Sequence, residues 1–393
     1  MKRIAIVSLE NIANWGDHFL KDTVAFIVKN RFPEAELVML DLEASINHNL
    51  LYYFTGAINK IMSMFPKSNL MHRIRFYNMK LRLKRYYSKL LTGVDALIFS
   101  GGSFKYGTQR VWIRYSIFIE CCEEKNILVM FNAVNIQEYK HNDWRCQCLK
   151  EHLNYPCVKY ITTRDGPFGV KRLISDYITK SDIACSEAGD PGLWIPECYG
   201  IQRKTGDVIG INLIRPSIFN GYSFSGAKSD NDIISLYEDL ISYLINSGIN
   251  FELFTNGLPS DARLLDKIQE RGKFTQDLHQ YLYVPANARE LAERISKYKI
   301  VWAARLHACI CAISFNVPVV CFAWDEKILH FANYVGIERS LLLPSQLDSK
   351  TAIAKLNDCL NNCTDWQYDQ PKLNKLKMLT SDTIYKFISE YTI

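Results

Sequence analysis

The sequence has no long apolar run, and this absence excludes an integral membrane protein of the helical kind. A membrane span needs roughly 18–20 consecutive apolar residues, and no stretch of the 393-residue chain approaches that length. The apolar start Ile4–Val7 is too short for a signal peptide and is not followed by a small-residue cleavage site. We therefore expect a protein that stays in the cytoplasm.

Familiar catalytic and metal-binding motifs are also missing. The chain contains no GxSxG, GxxxxGK[ST], HExxH or GxGxxG sequence. It has 12 cysteines but no CxxC pair of the zinc type, because pairs such as Cys146/Cys148 and Cys309/Cys311 are separated by one residue. We predict reduced, mostly buried thiols and no metal site.

What the chain does contain is an alternation of short, strand-like apolar runs with longer runs of helical spacing. The alternation stops at a linker around Asp190-Pro191-Gly192 and then starts again. This pattern predicts two Rossmann-like α/β domains with parallel sheets, in a GT-B-like architecture with a cleft between domains. We expect an N-terminal domain over 1–200, a C-terminal domain over 201–365 and a C-terminal helical segment over 366–393.

A basic, aromatic insertion interrupts the first domain at about 44–92. It carries nine Lys and Arg residues and no acid, whereas the net charge of the whole chain is +6. Such a local patch argues against nucleic-acid binding. Two interpretations stay open: a helical arm with a solvated basic face, or an amphipathic segment that meets anionic lipid or a charged glycan. In the second interpretation seven aromatic residues reach the headgroup level, namely Tyr52, Tyr53, Phe54, Phe65, Phe76, Tyr86 and Tyr87.

Candidate site residues follow the predicted strands, where open α/β sheets bind ligands. Asn14, Gly16 and Asp17 follow the first strand, and Asp17 is either a helix cap or a catalytic carboxylate. Three residues follow a later strand, as substrate contacts or as a tight turn, namely Gly101, Gly102 and Ser103. Arg164 follows another strand and is either an anion-binding side chain or one partner of a surface ion pair near Asp165.

The strongest local signal is Arg305-Leu306-His307, which joins a predicted strand to an apolar helix. A cation and an imidazole at a helix N-terminus oppose the dipole preference for negative charge. An anionic ligand would remove that conflict, and such local conflicts tend to mark sites. The alternative interpretation is a packed, hydrogen-bonded pair without a ligand. Lys327, after the next strand, is a further candidate for the same ligand, although Trp324-Asp325-Glu326-Lys327 equally suits an ordinary helix start.

In their order along the chain, these motifs resemble the polysaccharide pyruvyl transferase family over roughly residues 3 to 340. The matching marks are Asn14-x-Gly16-Asp17, Asp95 with Gly101-Gly102, Arg164-Asp165, Asp190-Pro191, Arg305-Leu306-His307, Ala312, Pro318, Asp325-x-Lys327 and Gly336. The chain departs from the family at Ala133–Gln137, where relatives tend to have a glycine-rich turn. It departs again at Gly166–Gly169, where a serine-bearing helix start is usual.

The resemblance implies a GT-B-like fold and transfer of a pyruvyl group from phosphoenolpyruvate to two sugar hydroxyls, which gives a ketal and phosphate. It also implies that Arg164, Arg305 and His307 hold the donor. His307 would protonate the methylene carbon and Asp17 would take a sugar proton. The expected acceptor is a surface glycan or its lipid-linked precursor, met at the inner membrane face, and no cofactor is required. The alternatives are a GT-B glycosyltransferase and a non-catalytic module of glycan assembly.

Overall fold

The computed structural model describes residues 2–9, 14–43, 68–104, 111–222 and 229–391. Twelve strands within these ranges form two sheets: β1 Arg3–Ser8, β2 Glu36–Asp41, β3 Ala96–Phe99, β4 Leu128–Val134, β5 Val158–Thr163, β6 Ala184–Glu187, β7 Ile209–Asn212, β8 Phe251–Phe254, β9 Leu282–Tyr283, β10 Ile300–Ala303, β11 Val319–Phe322 and β12 Leu341–Leu342.

The α-helices of the described ranges cover the two sheets. They are α1 Trp15–Arg31, α2 Asn69–Leu90, α3 Val111–Glu124, α4 Trp144–Leu153, α5 Gly166–Arg172, α6 Ile195–Tyr199, α7 Ser217–Tyr222, α8 Asp230–Asn246, α9 Pro259–Gln269, α10 Ala288–Ile295, α11 Leu306–Ser314, α12 Glu326–Val335, α13 Ser349–Asn361 and α14 Gln370–Tyr391.

Both sheets are parallel and have six strands. The first has the order β2-β1-β3-β4-β5-β6 and the second the order β12-β11-β10-β7-β8-β9. Central strands such as β3 and β10 are buried at every residue. Burial of both faces is typical of parallel sheets covered by crossover helices, and it explains why these strands read as continuous apolar runs. The predicted α/β fold with two Rossmann-like units and parallel sheets is confirmed.

The helices form where the sequence supplies an apolar face and a defined start. In α8, Ser229 and Asp232 form a capping box at the N-terminus. The apolar side chains that follow recur three and four residues apart and are buried against the second sheet, namely Ile233, Leu236, Tyr237, Leu240, Ile241 and Leu244.

The chain divides into two compact units. The first comprises Met1–Asn11, Val24–Ala188 and Leu379–Ile393, and the second comprises Ile12–Thr23 and Gly189–Met378. The start of α1 therefore belongs to the unit that contains the second sheet, and the end of α14 belongs to the unit that contains the first. Asn14, Gly16 and Asp17 consequently fall in the same unit as Arg305 and His307, which the sequence alone did not indicate.

Helix α2 occupies the described part of the predicted basic insertion. One of its faces is buried against α3, where Tyr87 stacks on Phe118 with 3.8 Å between ring centroids and Phe76 stacks on Trp112. The expectation that Phe76 and Tyr87 sit at a lipid headgroup is wrong, because both are core residues. Tyr86 is exposed. Tyr52, Tyr53, Phe54 and Phe65 lie outside the described residues.

All 12 cysteines have free thiols, and nine of them are buried. Burial raises the pKa of Cys121 and of Cys148 to about 12. Among the described residues, no three His, Cys, Asp or Glu side chains are arranged to hold a metal ion. None of the helices in the same ranges combines the length and the hydropathy needed to cross a membrane.

Candidate functional site

The second sheet has its topological switch point between β7 and β10. From β7 the chain proceeds to β8 and β9 on one side and then returns to β10 on the other, so the connections leave in opposite directions. Ligands of open α/β sheets bind outside the carboxyl ends of the strands at such a point. The last residue of β7 is Asn212, and Arg305 lies two residues beyond β10.

Asn212, at the end of β7, is hydrogen-bonded to the residues that follow β8 and β10. Its side-chain oxygen accepts a hydrogen bond from the Arg305 backbone N–H at 3.2 Å, and its Nδ2 donates to Asn256 Oδ1 at 3.0 Å. Its backbone carbonyl accepts a 2.8 Å hydrogen bond from the buried Tyr237 hydroxyl. Burial raises the pKa of Tyr237 far above its usual value, and the negative charge of Asp261 raises it further. Tyr237 therefore remains a hydrogen-bond donor that fixes this strand end.

Arg305 is held by a buried carboxylate on helix α9. Its Nε donates to Asp261 Oδ2 at 2.9 Å and its Nη2 to Asp261 Oδ1 at 2.7 Å. The Asp261 side chain is fully buried, and that of Arg305 is 14% exposed. A planar guanidinium held along one edge keeps the Nη1 donors of the other edge for a further anion. This arrangement fixes the direction in which Arg305 presents its charge.

His307 packs against the backbone of Gly16, at the start of α1. A Cβ atom on Gly16 would lie 2.5 Å from His307 Nδ1 and 2.6 Å from His307 Cβ, so a side chain there would force the imidazole or the helix to move. Gly16 is therefore required by the close approach of the imidazole. The first turn of α1, which contains Gly16, and the N-terminus of α11, which contains His307, thus meet within the second unit.

The start of α1 is anchored to the loops that follow β8 and β9. The Trp15 backbone N–H donates to the Asn256 carbonyl at 2.9 Å, and the Trp15 indole N–H donates to the Pro285 carbonyl at 2.8 Å. Asn14 immediately precedes the helix, and its Nδ2 donates to Asp17 Oδ2 at 2.8 Å. The interpretation of Asp17 as the N-cap residue is therefore wrong, since α1 begins at Trp15 and Asp17 lies within its first turn. Its carboxylate is partly exposed and is oriented by Asn14.

Lys327 lies close to the same strand ends. The Trp324 indole donates to the carbonyl of Ala304, the residue before Arg305, and Lys327 Nζ lies 5.5 Å from the centroid of the Trp324 ring. Asp325 caps α12 by accepting the Lys327 backbone N–H at 3.1 Å, and its other oxygen is 3.7 Å from Lys327 Nζ. The helix-start reading is thus correct in its geometry, and the cation remains adjacent to the Arg305 loop.

A second polar cluster lies at the strand ends of the first sheet. Asn135, after β4, donates to both oxygens of Asp165, after β5, at 2.8 and 2.9 Å. Ser103 donates to Asn135 Oδ1 at 3.1 Å. Asp165 and Arg164 are 6% and 5% exposed, so the alternative of a surface ion pair there is wrong. Asp165 orders the cluster, and the buried Arg164 directly precedes Asp165 in the chain.

Gly102 belongs to this cluster through its backbone. Its φ is +120°, and a side chain there would collide with the Tyr115 hydroxyl, so both conformation and space require glycine. Its carbonyl accepts the Asn135 backbone N–H at 3.0 Å. Gly101, Gly102 and Ser103 thus run beside Asn135 as a tightly fitted turn in the first unit.

The described residues therefore give two sets of candidate side chains. The second unit brings together Asn14, Gly16, Asp17, Arg305 and His307, with Lys327 at the start of the nearby helix α12. The first unit brings Gly102 and Ser103 next to Asn135 and Asp165, with Arg164 beside Asp165 in the chain. That both sets line one cleft stays a prediction. Sequence reasoning missed Asn212, which ends an apolar strand, and Asn256, which follows one. It also missed Asp261, for which the sequence has no signal beyond an acid near a helix start.

The sequence model of the family described as polysaccharide pyruvyl transferase matches residues 14–326 of the chain. The chain belongs to the polysaccharide pyruvyl transferase family. The match includes both sets of candidate residues with the exception of Lys327, which lies one residue beyond it. Members of this family are transferases. No curated protein matches the sequence.

Solved structures similar to this member of the polysaccharide pyruvyl transferase family include a protein in complex with UDP, a UDP-GlcNAc 2-epimerase and a trehalose-phosphate synthase. Staphylococcus aureus MnaA in complex with UDP has a TM-score of 0.55 at 9% identity, with 100% of this chain and 97% of that chain covered. The UDP-GlcNAc 2-epimerase of Methanocaldococcus jannaschii, in complex with UDP-GlcNAc and UDP, has a TM-score of 0.57 at 9% identity and covers 99% and 100%. The α,α-trehalose-phosphate synthase of Burkholderia vietnamiensis has a TM-score of 0.54 at 11% identity, with 99% of this chain and 97% of that chain covered. At these identities the likeness shows the fold alone, which is GT-B-like.

Proposed function

We propose that this protein transfers a pyruvyl group from phosphoenolpyruvate to two hydroxyls of a sugar in a surface polysaccharide or its lipid-linked precursor. The observation that carries the proposal is the position of Arg305 and His307 at the switch point of the second sheet, with His307 against the start of α1. Membership of the family supports a transferase of glycan biosynthesis. The identity of the donor is the part that the proposal adds.

The charges at this site suit a small ligand with two anionic groups. Phosphoenolpyruvate has a carboxylate and a phosphate, and both bind best to directed N–H donors. The Nε and Nη2 atoms of the Arg305 guanidinium donate to Asp261, so Nη1 is the nitrogen that would donate to an anionic oxygen of the ligand. Lys327, at the start of α12, adds a second cation. Backbone N–H groups at the starts of α1 and α11 add further donors to the same region.

The reaction itself requires an acid and a base. The methylene carbon of phosphoenolpyruvate gains a proton, and the adjacent carbon becomes electrophilic. One sugar hydroxyl attacks this carbon and loses its proton. The second hydroxyl then forms the other ketal bond as the C–O bond to phosphate breaks. Of the two hydroxyl protons, one balances the proton placed on carbon and the other leaves with phosphate or solvent. We assign His307 as the acid and Asp17, oriented by Asn14, as the base.

The sugar acceptor is assigned to the first unit. We propose that Gly101, Gly102 and Ser103 contact the acceptor and that Arg164 supports the donor. The Gly102 turn is fixed by its contacts with Tyr115 and Asn135, so it offers rigid backbone groups to a ligand. Rigid backbone donors and acceptors select hydroxyl positions without the entropy cost of ordering side chains.

The decisive experiment is a phosphate-release assay with phosphoenolpyruvate and a panel of lipid-linked and free glycans. We expect phosphate release only when an acceptor is present, and a product heavier than the acceptor by one pyruvyl ketal in mass spectrometry. Phosphate release without acceptor modification would refute the transfer. Binding of glycan without any turnover over the whole panel would support a non-catalytic module.

The competing function is a glycosyltransferase on the same fold. The observation in its favour is that solved structures of similar fold were determined with UDP or UDP-GlcNAc. Calorimetric titration with phosphoenolpyruvate and with UDP-sugars separates the two, and we expect only phosphoenolpyruvate to bind with a dependence on Arg305. Turnover lost in EDTA and restored by magnesium or manganese would favour the glycosyltransferase.

A further inference from the structure

Helix α2 carries a second apolar stripe on the face opposite to its buried one. The stripe consists of Leu70, Ile74, Tyr77 and Leu81, which recur at intervals of four, three and four residues and therefore lie on one side of the helix. These side chains are 62%, 40%, 59% and 82% exposed, respectively. The opposite side, with Phe76 and Tyr87, packs on α3 and needs no further partner. The exposed stripe is thus apolar surface that the described fold does not use.

Cations border this stripe along the whole helix. Helix α2 contains seven Lys and Arg residues and no Asp or Glu. Some of these charges are already neutralised within the fold, since Lys80 is paired with Glu120 at 2.7 Å and Lys84 is paired with Glu124. Arg85 and Lys89 are exposed at the end of the stripe. Near that end a groove of about 460 Å³ is lined by Tyr77, Leu81 and Arg85 together with Lys80, Lys84, Ser88 and Glu124.

We propose that the exposed stripe of α2 docks the protein on an anionic lipid surface. In this arrangement Leu70, Ile74 and Leu81 reach below the headgroups, Tyr77 lies at their level, and Arg85 and Lys89 contact the lipid phosphates. The helix lies along the surface and does not span it. The inference is independent of the donor and of the chemistry proposed above.

The distribution of charge favours lipid over the other occupants. A second copy of the same face would bring two acid-free helices together, and like charges oppose such a contact. A nucleic acid or another polyanion would use the cations, but it would leave Leu70 and Leu81 without a role. An anionic bilayer matches both features, because it combines a negative surface with an apolar layer a few ångströms below.

The test is co-sedimentation of the full-length protein with vesicles of phosphatidylglycerol and phosphatidylcholine, compared with pure phosphatidylcholine. We expect binding to the anionic vesicles at low salt and its loss at high salt. The variant Arg85→Glu/Lys89→Glu should lower the partition constant by roughly tenfold or more, since it reverses two charges at the surface. The matched control Lys350→Glu/Lys375→Glu reverses two exposed charges elsewhere and should bind as the wild type does.

The apolar part of the proposal has its own variants. Ile74→Ser/Leu81→Ser should lower the partition constant several-fold at unchanged charge. The fluorescence of Leu81→Trp should shift to the blue when anionic vesicles are added, because the indole enters an apolar layer. All of these side chains are exposed, so the melting temperature should stay unchanged and binding can be read without a folding defect.

Three results would overturn the inference. The first is wild-type protein that stays in solution with anionic vesicles at low salt. The second is binding that responds to Arg85→Glu/Lys89→Glu but not to Ile74→Ser/Leu81→Ser, with no spectral shift, which would indicate a polyanion site. The third is self-association in sedimentation velocity that Ile74→Ser/Leu81→Ser abolishes, which would assign the stripe to a second copy.

Discussion

Asp261 forms a salt bridge with Arg305, which lies 44 positions later in the chain, and the Asp261 carboxylate is completely buried. The pair therefore has two consequences that differ in kind. The salt bridge fixes the orientation of the Arg305 guanidinium. It also means that the buried negative charge of Asp261 is neutralised by Arg305, so the stability of the second unit depends on that guanidinium.

Arg305→Ala should destabilise the fold as well as impair the site. It leaves the buried Asp261 charge without its partner, and we expect a loss of about 3–5 kcal/mol in the free energy of unfolding. Adding Asp261→Asn to Arg305→Ala should recover part of that loss, because it removes the unpaired charge. Urea unfolding of the four members of this cycle measures the coupling. Arg289→Ala is the control, since its pair with Glu293 is exposed and should contribute less than about 1 kcal/mol. Equal effects of Arg305→Ala and Arg289→Ala would contradict the role assigned to Asp261.

His307→Ala should separate activity from stability. His307 is only partly buried, so we expect only a small change in melting temperature. Loss of the proposed proton donor should cost about 2–4 kcal/mol in kcat/KM, or roughly 30- to 1000-fold. Phosphate release from phosphoenolpyruvate is the readout. His279→Ala, which changes an exposed histidine paired with Asp277 and Asp266, serves as the control. Near-normal kcat/KM for His307→Ala would remove His307 from the mechanism.

Gly16→Ala should be destabilising because of His307. The added methyl group would lie 2.5 Å from His307 Nδ1, so the imidazole or the helix must move, at a cost of about 1–3 kcal/mol. In the His307→Ala background most of that cost should disappear, which a double-mutant cycle measures. Gly200→Ala is the control: no atom lies within 4 Å of its added Cβ, and its penalty comes from a φ of +63°. That penalty should be the same in both backgrounds. Additive Gly16→Ala and His307→Ala effects would rule out the contact as the cause.

The acid sensitivity of the first unit should depend on Glu120. Burial alone would raise the pKa of Glu120, but hydrogen bonds and charge from His152 and Lys80 together outweigh burial and leave the pKa below its usual range. Because the folded-state pKa is lowered, Glu120 stabilises the fold above its unfolded pKa of about 4.3, and this contribution is lost as the pH falls through the folded pKa. Glu120→Gln should therefore lower the unfolding free energy at pH 7 and weaken its dependence on pH below 5.

Glu124→Gln is the control for this titration. Glu124 also pairs with a lysine of α2, but its side chain is 54% exposed. An exposed pair contributes less than about 1 kcal/mol, so Glu124→Gln should leave the pH profile of unfolding close to that of the wild type. If both variants flatten the profile equally, Glu120 has no special part in acid unfolding.

The sheets and most of their helices could be predicted because they depend on local patterns. Apolar runs such as Ile300–Ala303, followed by the apolar helix over 306–314, fit few alternatives in a parallel sheet. Short polar or terminal strands such as β6 and β12 contain too few apolar residues in a row to be predicted from the sequence. The assignment of Ile12–Thr23 to the second unit is a matter of tertiary contacts, and neither periodicity nor propensity contains that information.

The same distinction holds for the candidate site. Arg305 and His307 were predictable because each violates a local preference at a helix start. Asp261 obeys every local rule, as an acid in the first turn of α9, so its burial against Arg305 leaves no trace in the sequence. The lipid-facing role of Phe76 and Tyr87 failed for a related reason. Helix α2 has apolar residues on two faces, and composition does not tell which face the fold covers.

The twelve free thiols are divided between the two units, so their reactivity can report on the opening of each unit separately. Six lie in the first unit, from Cys121 to Cys185, and six in the second, from Cys198 to Cys363. The buried ones with a strongly raised pKa are almost never thiolates at neutral pH, so an alkylating reagent reacts with them only after the surrounding structure opens. Pulsed alkylation followed by peptide mass spectrometry would therefore time the opening of each unit in one sample, and no label would have to be introduced.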